Sequence, residues 1–195
     1  MARLAPVVLV AAYAGAGPAS AHSPSDRFGD FYGGMLHPAT ALEHALPILA
    51  LGLLAGQQGA RAARWLLLIL PLALLLGATF GTVAPALPWV PLLNKASFAL
   101  LGALVAGAWP LPLPVVVALA ALFGLSHGWE NGAAMTPETA AHLFVPGVAL
   151  IGFMAAALVS AATLALSTRA EWLRIGVRVA GSWIAAIGIL MLGMA

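Results

Sequence analysis

The amino-acid sequence predicts an all-α polytopic membrane protein, a bundle of six transmembrane helices behind a cleaved signal peptide. Three observations carry this. The 195 residues are 63% hydrophobic and only 7% charged, where an ordinary soluble chain is about 25% charged, and the mean hydropathy is +1.03. The apolar residues fall into six runs, each long enough to cross a hydrocarbon core as a helix. The connections between the runs are brief, so no soluble domain is expected. The formal charge of +2 is too small and too scattered to suggest a nucleic-acid partner. With no cysteine, disulfides and thiolate ligands are excluded, and a metal would be held by nitrogen and oxygen, with Met a weak reserve.

Residues 1–21 read as the signal peptide. Arg3 forms a one-charge leading region, Leu4 to Gly17 is an apolar run too short for the roughly 20 residues a span needs, and Ala19-Ser20-Ala21 matches a small-residue cleavage site. Residues 22–36 are polar and aromatic with a Gly33-Gly34 break, and read as an extracytoplasmic lead-in along the membrane surface. The six spans are Pro38–Gly56, Trp65–Val83, Val90–Ala108, Pro114–Glu130, Ala140–Leu166 and Trp172–Met194. Pro38 suits a helix start, where its missing N–H costs nothing. Pro47 lies inside the first span, where it should kink the helix and free the carbonyl of Glu43. Gly52 and Gly56 permit close helix packing, within one chain or in a homo-oligomer.

Arg61 and Arg64 follow the first span, while Arg169, Arg174 and Arg178 lie between or just inside the last two. For alternating helices these loops share a side, and the positive-inside rule makes it cytoplasmic. The first span then enters from outside, as a cleaved signal requires. Trp65, Trp89, Trp109, Trp129 and Trp172 fall at span ends, where aromatic rings favour the interface. Trp183 alone is mid-span, and packing between helices is expected for it.

The chemistry lies in two polar clusters. His37-Pro-Ala-Thr-Ala-Leu-Glu43-His44 puts two histidines and an acid into an apolar segment; on one continuous helix the histidines would share a face roughly 10 Å apart. Ionisable groups inside a span are expensive, and mark function by default. The second cluster, Ser126-His127-Gly128-Trp129-Glu130-Asn131-Gly132, closes the fourth span, with His127 and Glu130 three apart on one face. Both clusters fall toward the extracytoplasmic side, and the metal ligands expected are His37, Glu43, His44, His127 and Glu130. Imidazole with carboxylate suits nickel, cobalt or zinc, with manganese also compatible. His142 reads as an interface residue, Asn131 and Gly132 as a helix terminus, and Met35 and Met135 as packing residues near the mouth.

The motif His37-x5-Glu43-His44, followed by Ser126-His127-Gly128-Trp129-Glu130, resembles the HupE/UreJ family of small nickel or cobalt permeases linked to hydrogenase and urease metal supply. The resemblance covers nearly the whole chain after the leader in span number, motif order and richness in small residues. It implies a multi-pass protein of the bacterial inner membrane that transports Ni2+ or Co2+ as substrate, with no prosthetic group and no enzymatic activity. The chain departs from the family in four places: Glu43 where an Asp is usual, Phe123 at the first His of the second motif, Asn94 and Lys95 where span three often carries an acid, and Val159-Ser160 where span five often carries a His. Lys95 has two readings, an ammonium snorkelling to the interface or one paired with Glu43 or Glu130. Three other functions compete: an intramembrane zinc hydrolase, which lacks an H-E-x-x-H helix here; a haem-binding or structural subunit using His44 and His127; and a diverged accessory subunit that no longer moves nickel. No phosphate-binding G-x-x-x-x-G-K-[ST] loop occurs, so ATP hydrolysis by the chain itself is not expected.

Overall fold

A computed structural model describes residues 24–84 and 87–194; the leader expected over residues 1–21 lies outside them. The described residues form seven helices and no strand: α1 (Pro24–Thr40), α2 (Leu42–Gln57), α3 (Ala60–Val83), α4 (Val90–Gly107), α5 (Leu113–Ala133), α6 (Ala141–Ser167) and α7 (Glu171–Gly193). Long continuous apolar runs favour helices, which satisfy each backbone group within its own segment, over a closed barrel, whose strands alternate. Helices α3 to α7 are each long and apolar enough to cross a membrane, and α1 from Gly29 with α2 forms a pair that qualifies together although bent by 75°.

That bend corrects the first expected span. The segment read as a lead-in is helical on either side of a kink at Gly29 (φ 73, ψ 163), and Pro38 lies inside α1 rather than opening a helix. The chain breaks instead at Ala41, which is extended at φ −83, ψ 110. Two prolines weaken the ladder on either side: Pro38 cannot donate to the carbonyl of Gly34, and Pro47 cannot donate to that of Glu43. Between them, Ala41 still donates to His37 O at 3.1 Å, while its own carbonyl takes the N–H groups of His44 and Ala45, both at 2.9 Å. α2 then runs on through Pro47, where the kink was expected.

The helices meet backbone to backbone at glycines. α3 lies on α5 where Gly77 faces the Leu125 carbonyl, Gly81 that of Trp129, Gly128 that of Leu74 and Gly132 that of Ala78. α4 lies on α7 in the same way, through Gly102, Gly181 and Gly188. α6 carries the bent pair: Gly34 of α1 faces Phe144, Gly147 faces Phe31, and Gly52 and Gly56 of α2 face Val159, Ser160 and Thr163. The Gly52–Gly56 motif is therefore used within the chain. At all these places a β-carbon would enter a neighbouring helix, so close approach, rather than turn geometry, requires the glycine.

Between these pairs the core is filled by the apolar side chains of Leu51, Leu54, Leu66, Leu70, Leu74, Phe98, Leu101 and Val105. The outward faces are apolar too, with Leu68, Leu72 and Leu76 on α3 and Ile189 and Leu190 on α7 exposed, as a lipid-facing surface requires. Trp183 belongs to that surface: at 69% exposed it points away from the bundle, contrary to the packing expected of it. Trp65, Trp89, Trp109 and Trp172 are exposed near helix ends.

The up-and-down order places the start of α2, α4 and α6 and the end of α3, α5 and α7 at one end of the bundle. The opposite end holds Arg61, Arg64, Arg169, Arg174 and Arg178. There Gln58 ties two turns together: its Nε2 donates to Trp109 O at 3.0 Å and its Oε1 accepts from Leu111 N at 2.9 Å.

Candidate metal centre

The 75° bend brings the first motif together differently from a continuous helix. With His37 on α1 and His44 on α2, the two ring centroids are 5.5 Å apart, about half the separation expected along one helix face. His44 is buried, and its ring meets that of His127, from α5, with centroids at 5.6 Å and planes at 89°. The two Nδ1 atoms stand 3.3 Å apart. Glu130, one turn beyond His127, adds a carboxylate oxygen, so that His44, His127 and Glu130 present ligand atoms all within 4.8 Å of one another. The adjacency of the first and fourth spans, which spacing alone left open, is thus a feature of the fold.

The five expected ligands divide into a centre and a periphery. His44, His127 and Glu130 form the centre. His37 borders it, half-buried, with its ring 6.1 Å from Phe144 and its Nε2 buried without a hydrogen-bond partner in the chain. Glu43 is exposed and stands outside the cluster. It adjoins His44 in sequence, but an offset of about 100° around the helix turns it away from the interior.

A ring of polar residues surrounds the centre, and two of its members come from α4. Asn94 Nδ2 donates to Glu130 Oε2 at 2.5 Å and to the Ser126 carbonyl at 3.2 Å. Glu130 therefore pairs with an amide rather than with the ammonium of the neighbouring Lys95, which is half-buried. Ser97 Oγ contacts His127 Nε2 at 3.0 Å and donates to the Asn94 carbonyl at 2.6 Å. Asn131, expected only to end a helix, is fully buried and donates to the His127 carbonyl at 2.7 Å. The side-chain oxygens of Asn94 and Asn131 are buried without hydrogen-bond partners in the chain. Sequence reading passed over Ser97. The available signal was a polar pair three residues apart in an otherwise apolar span, which lies on one helix face.

Where the family often carries further ligands, this chain places packing residues. Phe123 is 2% exposed within the core, and Val159 fills the space opposite Gly52. His142 is exposed at the start of α6. At the same end of the bundle, an open cleft of about 500 Å³ runs between α3, α5 and the α5–α6 connection, bordered by Gly81, Thr82, Gly132, Met135 and Thr139. Asp30 of α1 anchors this connection by accepting from Ala140 N at 2.8 Å.

A family model described as "HupE / UreJ protein" matches residues 9–191. A protein of Rhizobium leguminosarum bv. viciae named "Protein HupE" is 31% identical over 118 residues, covering 58% of this chain and 60% of the relative. The aligned part thus spans well under two thirds of that relative's length. No solved structure matches the chain. With the family match running through nearly every helix, including both histidine-bearing motifs, the chain belongs to the HupE/UreJ family.

Proposed function

We propose that the chain is a permease for a divalent transition-metal cation, with nickel or cobalt the expected ion and a hydrogenase or urease its expected consumer. The observation that carries this is the pair of buried imidazole nitrogens 3.3 Å apart, with a carboxylate beside them, inside an apolar bundle. An ion bound at the usual imidazole distance of about 2.0–2.1 Å from both nitrogens would see them at an angle of about 105–110°. That is a normal coordination angle, so the two side chains need little rearrangement to share one cation. Two nitrogens and a carboxylate favour a borderline divalent ion over copper(I), and burial removes competing water.

The direction follows from charge. The positive-inside rule favours a cytoplasmic location for the end that holds the five arginines, which would turn the candidate metal centre outward. Glu43, exposed beside it, is suited to collecting cations, and His37 to passing them to His44. Below the centre Leu51, Phe98 and Leu101 are buried and apolar, so release inward requires helix movement.

Uptake of radiolabelled nickel and cobalt into proteoliposomes, with zinc and manganese as competitors, tests the reading. Wild-type protein is expected to accumulate the label, and His44→Ala and His127→Ala to lose it. Uptake by both variants at the wild-type rate would remove the assignment.

A further inference from the structure

The cation reading names the ligands but does not say what makes them ready to bind. A histidine offers a metal only the ring nitrogen that carries no hydrogen, and a neutral imidazole has one such nitrogen. Which nitrogen that is depends on the partner of the other. In His127 the partner is Ser97.

The hydrogen bonds decide the tautomer by elimination. The Asn94 carbonyl can only accept, so the 2.6 Å contact from Ser97 Oγ uses the single hydroxyl hydrogen. Ser97 Oγ is then left with lone pairs toward His127 Nε2, 3.0 Å away. The ring must therefore donate there, as Nε2–H, and Nδ1 is the bare nitrogen. That nitrogen is the one facing His44 Nδ1 across 3.3 Å. Ser97 is fully buried, so water does not compete for its hydroxyl. The same helix governs the carboxylate: both partners of Asn94 Nδ2, the Ser126 carbonyl and Glu130 Oε2, are acceptors. The amide nitrogen must face them, one hydrogen going to the Glu130 carboxylate and the other to the Ser126 carbonyl of α5, so that Asn94 ties the carboxylate to that backbone.

We propose that Ser97 and Asn94 are positioning residues for cation binding, Ser97 by fixing His127 as the Nε2–H tautomer and Asn94 by fixing the Glu130 carboxylate. The proposal rests on the permease reading for the identity of the ligand, a divalent cation. Neither residue touches the ion through the atoms that do this. In the metal-free site His44 Nδ1–H donates to His127 Nδ1. A cation entering between the two nitrogens takes the place of that hydrogen, which moves to His44 Nε2, so neither ring changes its charge.

The test uses full-length protein in detergent, labelled with 15N-histidine and kept free of metal. Long-range proton–nitrogen correlation distinguishes the two tautomers, and His127→Asn identifies the His127 signals. Wild-type His127 is expected to carry its hydrogen on Nε2, Ser97→Ala to show a substantial Nδ1–H population, and Ser97→Thr, which keeps the hydroxyl, to retain the wild-type form. Co2+ titration, followed by its ligand-field absorption, is expected to be about 10–100-fold weaker for Ser97→Ala and for Asn94→Leu, the usual range for residues that orient metal ligands. A wild-type His127 found as Nδ1–H overturns the proposal, and so does a Ser97→Ala protein with wild-type tautomer and wild-type affinity. If Ser97→Ala does not fold, the wild-type spectrum alone still decides the tautomer. If wild-type protein binds no Co2+ or Ni2+, the permease reading fails and the role in cation binding with it, whereas a wild-type Nε2–H signal would still support Ser97 as the group that sets the ring.

Discussion

Gly128 adjoins His127 on the face of α5 that lies against α3, and replacing it with Ala should both destabilise the bundle and disturb the metal centre. An added β-carbon would stand 2.9 Å from Ala78 N, 3.0 Å from Leu74 Cα and closer still to the Leu74 carbonyl. Ordinary contact begins near 3.4 Å, so the two backbones must part by about 0.5–1 Å, a strain of the kind that costs about 1–3 kcal/mol in packed interiors. Alanine recovers about 0.5–1 kcal/mol of helix preference, leaving a net loss of about 0.5–2 kcal/mol. Gly176 of α7 is the control, since a β-carbon there meets nothing within 4 Å and only the favourable part applies. Thermal unfolding in one detergent should place Gly128→Ala below the wild type and Gly176→Ala at or above it. Cobalt affinity should fall in the first variant alone, because metal sites tolerate ligand shifts of only about 0.2 Å. Equal melting temperatures for the two variants would refute the claim that glycine contact sets the α3–α5 distance.

Other perturbations have equally definite outcomes. Ala108 ends α4 in the left-handed conformation at φ 51, ψ 35, so Ala108→Gly should raise stability by about 1 kcal/mol in the same unfolding assay. Gln58→Leu removes two hydrogen bonds that join the α2–α3 and α4–α5 turns, and should lower it by about 1–3 kcal/mol. Lys95→Ala should leave cobalt affinity nearly unchanged, because Asn94 holds Glu130; a large gain in affinity would restore the ammonium–carboxylate pairing. Trp183→Phe should remove an accessible share of the fluorescence quenched by brominated lipid, since the ring faces outward.

What the sequence disclosed, and what it withheld, follows from the range of the interactions involved. The last five helices were legible, three of them to within a residue of their ends, because an apolar run between polar turns carries its own boundary: Val90–Ala108 was expected and α4 ends at Gly107, whereas α3 starts at Ala60, five residues before the expected Trp65, and takes Arg61 and Arg64 into the helix. The glycines of α2 were legible as points of close approach, but not their partners, which depend on helix neighbours. The α1–α2 region was misread for a local reason. Pro38 and Pro47 each remove a backbone donor, and nothing in their spacing says that the chain breaks at Ala41, between them. Gly33-Gly34 looked like a break, yet both lie inside α1, where Gly34 lets the backbone reach α6. The candidate ligands were visible as charged or imidazole groups in apolar surroundings. Asn94 was visible only as a departure, and Ser97 only through its spacing from Asn94, since a serine in a span means little until the ring opposite it is known.

The glycine contacts also divide the candidate metal centre between two sets of paired helices. His37 and His44 ride on α6, to which the bent pair is fitted through Gly34, Gly52, Gly56 and Gly147, whereas His127 and Glu130 ride on α5, fitted to α3. α6 packs on α3 as well, with the Leu74 side chain pressed against Gly152. The candidate ligands thus hang on two different sets of glycine contacts, and a cation shared by His44 and His127 would bridge them. A shift of α5 relative to α6 would widen the 3.3 Å gap and loosen that cation while every helix stays intact.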